Sequence, residues 1–335
     1  MIEQSSPVDT QHRDHDPRKT AFTIDLLHHH QDALRIYQDF GLMVKVSNQE
    51  TGGQKRKHMA PEHMVTVIAG TQALGQLLSE SGILSDKSKI FETEQAAAIH
   101  DAGKELEFLL VNTALKDSPT STDYQNILTS PNIKISDQQA LDSKLTEHFP
   151  KMISSVSKGV RTQASYDLAG DINELRLQEK SVSSNILKIQ KMVGHSSCPE
   201  IENLIDSFDK LSNTQKQQAL QIFILHYLDD LVTNPNIIDP QITTDSEGNR
   251  LNALDRRCLQ NENNPKYQEY NLSWATDSLN TTGETAFSMQ RRVGHKVEIF
   301  LANLLGVDDP LILPSLIDQR IKENITSNCC LVFNV

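Results

Sequence analysis

The segment 213–233, NTQKQQALQIFILHYLDDLVT, constrains this chain more than any other stretch. Its apolar residues recur at helical spacing, and Ala219, Ile222, Phe223 and Leu225 predict a long helix with a buried face. His226, Asp229 and Asp230 then follow at spacings of three and four, which places all three on one side of that helix. Acidic groups among buried apolar positions are costly unless they are paired or bound to a metal. The competing reading is a solvated face carrying a His–Asp pair.

The rest of the chain repeats the helical signal. Pro61 sits where a first turn tolerates its missing N–H. Met64, Val67, Ile68, Ala73, Leu74, Leu77 and Leu78 then mark a helix that Gly82 stops. Further apolar-periodic stretches cover 90–115, 136–160, 171–192, 197–211, 284–305 and 311–325, and 21–45 predicts a helix broken near Gly41. Residues 47–60 form a loop with a basic cluster, and 234–265, rich in Asn, Pro and Asp, reads as an extended loop. No alternating β-branched run of strand length stands out, and there is no internal repeat. The expected class is all-α. The polar residues 1–20 read as a disordered leader, 21–235 as a helical domain with an insertion around 115–195, and 236–335 as a C-terminal helical extension packing on the same core.

Charge removes several function classes. Against 32 Lys and Arg stand 44 Asp and Glu, a net charge of −12, which argues against broad binding to nucleic acid or an anionic membrane while leaving a local basic pocket open. The apolar run Ile222–Leu225 is far shorter than the ~20 residues that span a bilayer. The first residues lack the apolar core of a secretory signal. Cys198, Cys258, Cys329 and Cys330 form no CxxC pair and read as reduced thiols of a cytoplasmic protein. No nucleophile elbow, phosphate-binding glycine loop or dinucleotide fingerprint occurs.

The chemistry concentrates in histidines and aspartates, a mixed imidazole–carboxylate set that suits divalent metals. His100-Asp101 ends an apolar helix (Ala96, Ala97, Ala98, Ile99) and is followed by Ala102-Gly103-Lys104. Neighbouring helical side chains diverge by about 100°, so both reach one ion only where the helix frays, which the glycine permits. His63 opens the earlier amphipathic helix and reads either as a partly buried helix residue or as a further ligand.

The order His63, then His100-Asp101 with Gly103-Lys104, then Tyr227-Leu228-Asp229-Asp230-Leu231 resembles the HD superfamily of metal-dependent phosphohydrolases over roughly residues 60–235. The resemblance implies an HD-type helical bundle with additional C-terminal helices, holding one or two divalent ions (Mn, Mg, Ni, Co, Zn or Fe). His63, His100, Asp101 and Asp229 would hold the first ion, with Asp229 preferred to Asp230 from the motif and Asp255 a weaker alternative. Asp101 and Lys104 would serve catalysis, Lys104 standing where the family often has a phosphate-side lysine. His195 and His226 are candidates for a second ion. The implied activity is hydrolysis of a small-molecule phosphate ester, nucleotides included, with neither nucleic acid nor membrane as partner. Two alternatives keep the scaffold: a di-iron oxygenase, or a degenerate HD scaffold serving as a binding or regulatory module. Residues 102–228 are longer than a minimal domain needs, and they hold Arg161 among the basic positions that would meet substrate. Arg291 and Arg292, with His295 and Lys296, would either reach a substrate phosphate or form a solvated helix face.

Overall fold

The computed structural model describes residues 61–100, 135–144, 146–147, 171–175, 177–178, 182–192, 198–232, 243–244, 246, 248, 250–251, 254–255 and 286–332, the side chains of 61–63, 243, 286–288 and 328–332 excepted. The described part is 81% helical with almost no strand, an all-α fold. The leader, residues 21–60 and most of the 115–195 insertion lie outside the described residues, as do Asp101, Lys104, His148, Arg161 and His195.

Seven helices of eight or more residues are described: α1 (Pro61–Glu80), α2 (Ser88–Ile99), α3 (Ser184–Lys191), α4 (Cys198–Asp206), α5 (Asn213–Leu231), α6 (Ala286–Leu304) and α7 (Leu313–Val332). Gly82 ends α1 as expected. Its φ of +73° is the left-handed conformation that glycine adopts without a Cβ penalty. The Gly82 N–H then donates to the Ser79 carbonyl at 3.0 Å and Ile83 N–H to Leu78 at 2.9 Å, which satisfies the last carbonyls of the helix. The turn sends α2 back along α1. At Gly75 the two helices come so close that a Cβ would lie 3.1 Å from the Ile90 side chain.

Helix α5 is the central element, in contact with α1, α2, α3, α4 and α6. Its start is set by a capping box: Gln215 N–H donates to Ser212 Oγ, and Ser212 N–H donates back to the Gln215 side chain at 3.0 Å. From Ala219 to Leu231 nearly every side chain is buried, so this half is packed all round rather than along one stripe. Phe223 meets Phe208 and Phe300, with edge-on packing at 5.3 Å to Phe300, which binds α5 to α6 and to the short 3₁₀ turn Phe208–Lys210.

The C-terminal helices join the same core. Val293, Val297 and Leu301 of α6 and Ile317 and Ile321 of α7 belong to one apolar cluster with Ile68, Leu74, Ile99 and Leu225. Each large side chain so removed from water contributes about 1.5–3 kcal/mol, so α6 and α7 are integral to the bundle. The extended loop expected over 234–265 contains a small departure: Thr243–Thr244 pairs antiparallel with Arg250–Leu251. Two-residue strands are too short to produce an alternating pattern. No helix among the described residues is long and apolar enough to cross a membrane.

Candidate functional site

His100 stands at the C-terminal end of α2 and is 7% exposed. Its Nδ1 lies 2.6 Å from the Ala97 carbonyl oxygen. A carbonyl can only accept, so Nδ1 carries the proton. Gln190 of α3 donates to the His100 carbonyl at 3.2 Å and holds the backbone of this corner. The ring is thereby turned so that Nε2 faces Asp229 Oδ1 on α5, 3.1 Å away. An ionised carboxylate also only accepts. Two acceptor atoms this close are bridged by a proton, carried by the ring or by the carboxyl, or by a cation. Two ligand atoms each about 2.1 Å from one ion and adjacent on it lie about 3.0–3.4 Å apart, so the spacing suits both.

Asp230, the next residue, points elsewhere. Its Oδ1 accepts from Gln290 Nε2 of α6, and its Oδ2 lies 3.4 Å from His226 Nε2 one turn back on α5. His226 and Asp230 are both buried, which overturns the solvated-face reading of this helix. The reason is packing: α6 covers the side of α5 that the sequence leaves open. His226 is held within this pair, and its proposed partner at a second ion, His195, lies outside the described residues.

A further network runs along α6. Tyr227 OH donates to Glu298 Oε1 at 2.6 Å, and Glu298 Oε2 lies 3.4 Å from His295 Nδ1. On its other side, His295 Nε2 donates to Asp255 Oδ1, which also accepts from Arg291 Nε at 2.7 Å. Burial works against the imidazolium, but the Asp255 and Glu298 carboxylates outweigh it and bring the His295 pKa up to about 9. The ring is charged at neutral pH. Burial first, and then the Glu298 charge, push the Tyr227 phenol well above its ordinary value, so it remains a donor. Gly294 lets Leu254 pack close to α6: a Cβ there would lie 2.6 Å from Leu254 Cδ2, and that side chain would have to shift.

The basic positions of α6 divide. Arg292 Nη1 meets Glu202 at 2.5 Å, and Lys296 meets Glu202 and Asp206 at 3.1 and 2.8 Å, so both lie on the seam with α4. Arg291 is turned to Asp255 instead. Asp255, the alternative last ligand, is thus held by two cations.

Of the expected first-ion set, the structure brings His100 and Asp229 together. His63 lies in the first turn of α1, but its side chain, like Asp101, is outside the described residues. Among the described residues alone, no group of three or more His, Cys, Asp or Glu side chains is placed to hold a metal ion. Gln290 and Glu298 were not anticipated. The available signal was faint: polar residues beside Val293, Val297 and Leu301 on an otherwise apolar-periodic helix.

The chain matches no protein-family model, no curated protein and no solved structure.

Proposed function

We propose that the chain is a metal-dependent phosphohydrolase acting on a small phosphate ester, with His63, His100, Asp101 and Asp229 as the ligand set. The observation that carries this reading is the His100–Asp229 contact: two buried acceptors from helices far apart in sequence, 3.1 Å apart, with the far ring nitrogen committed to a backbone carbonyl. Ligating histidines usually donate their other N–H to such a group, which fixes the tautomer. One nitrogen and one carboxylate oxygen suit a borderline or hard divalent ion. The HD-like motifs supply the two further donors.

A divalent ion held there supplies Lewis acidity toward a phosphoryl oxygen and lowers the pKa of a water toward neutrality. The protein's own groups do the rest. Ala97 and Gln190 fix His100 from both sides. Asp230, tied to His226 and Gln290, locks the last turn of α5 and so the bearing of Asp229. Lys104 is assigned to the charge that builds on the phosphate oxygens.

The test is elemental analysis of the purified protein followed by a phosphate-release screen. Stoichiometric divalent metal and turnover are expected in the wild type, and loss of both in His100→Ala. Full phosphate release by His100→Ala would overturn the reading. Two irons with oxygen consumption would identify an oxygenase instead, and a metal-free protein inert to every ester would identify a binding module.

A further inference from the structure

Arg291 and Arg292 are consecutive on α6, yet they are held in opposite ways. Arg292 reaches Glu202 through a terminal nitrogen, Nη1. Arg291 is held through Nε, by Asp255 at 2.7 Å, and among the described residues its two terminal nitrogens meet no carboxylate. The side chain is 38% exposed, whereas the carboxylate behind it is 2% exposed. A guanidinium pinned at Nε by a buried carboxylate has its flexible stem immobilised, and its terminal N–H groups point away from the anchor as a fork. The ordering entropy that an anion would otherwise impose on a free arginine has already been lost in folding.

The surroundings match. His295 lies one helical turn on and shares Asp255, so the carboxylate is balanced from the other side without drawing on the terminal nitrogens of Arg291. With Glu298 the cluster holds two carboxylates and two cations, so its own charges balance. Gln290, the residue before Arg291, contacts Asp230, which places this turn of α6 beside the Asp229 end of α5.

The geometry points to Arg291 as an oxyanion-binding residue that receives the phosphoryl group of a small phosphorylated ligand. It rests on the proposed function only for the choice of phosphate, and it makes no use of a metal. The net charge of −12 disfavours the phosphates of nucleic acid or of a lipid surface as the source.

The experiment measures binding of inorganic phosphate to the full chain by equilibrium dialysis at low salt, after removal of divalent ions with a chelator. Wild type is expected to bind saturably. Arg291→Gln should weaken binding roughly tenfold or more, the usual loss for charge-assisted hydrogen bonds. Arg291→Lys, which keeps a cation for Asp255 but lacks the fork, should also weaken it. Arg250→Gln, which removes an exposed partner of Asp309, should leave it unchanged. His100→Ala separates the two ideas. Phosphate binding that persists in His100→Ala but fails in both Arg291 variants supports this assignment whether or not the metal reading holds. Absence of binding by wild type, or wild-type affinity in Arg291→Lys and Arg291→Gln, overturns it. Binding that appears only with divalent metal and ignores Arg291 overturns it while leaving the phosphohydrolase reading intact.

Discussion

Asp229 and Asp255 are two poorly exposed carboxylates with opposite surroundings. Asp255 accepts from Arg291 and from a charged His295, and the next carboxylate along, Glu298, accepts from Tyr227. Each of these contacts pairs a donor with an acceptor. Asp229 instead faces the Nε2 of an imidazole whose proton is committed to Ala97. In the first arrangement each carboxylate already faces a donor within the protein. The second sets two acceptor atoms 3.1 Å apart, a gap that a proton bridges or, on the proposed reading, a divalent ion. Burial alone therefore does not tell the two carboxylates apart, whereas the matching of donors to acceptors does.

Exchanging each carboxylate for its amide breaks the comparison most directly. Asp255→Asn leaves Arg291 and the His295 imidazolium facing a neutral group, and a loss of about 3 kcal/mol is expected in urea unfolding, with metal content unchanged. Asp229→Asn should do the reverse, abolishing metal binding and turnover while the chelator-treated protein melts within a few degrees of wild type. A large stability loss in both variants, with metal retained in both, would erase the distinction.

A smaller effect is expected where the scaffold leans on a bare helix surface. Gly294→Ala sets a methyl group against Leu254 Cδ2, and overpacking of this kind costs about 1–3 kcal/mol. Because the same contact seats Asp255, phosphate affinity should fall along with stability, and metal content should not.

The mildest test is pH. The His295 pKa is raised from its unfolded value to about 9, so its contribution to stability is fully present below the unfolded pKa and is lost as pH rises through about 9. Unfolding free energy should decline over that alkaline range in wild type, and the decline should be shallower in His295→Gln. An identical pH profile in the two proteins would show that the ring is not charged as the structure implies.

Helical class, the stop at Gly82 and the depth of Ile222–Leu225 were all legible, because each depends on spacing within a few residues. His100 and Asp229 were legible as chemistry, through motifs that put imidazole and carboxylate at the ends of apolar runs. The solvated-face alternative for His226 and Asp230 was equally legible and did not hold, because what covers a helix face lies elsewhere in the chain.

The one-dimensional pattern by itself determined which stretches would be helical and where their apolar faces lie, since helix formation and amphipathicity are local properties of a 3.6-residue repeat. Only the tertiary structure decided how those polar groups were shared out: Asp229 to His100, Asp230 to Gln290 and His226, Asp255 to Arg291 and His295. Adjacent side chains on a helix diverge by about 100°, so Asp229 and Asp230 meet different neighbours. Which neighbour each one meets depends on the packing of α2 and α6 around α5, and on the absence of a Cβ at Gly294, neither of which any local pattern encodes.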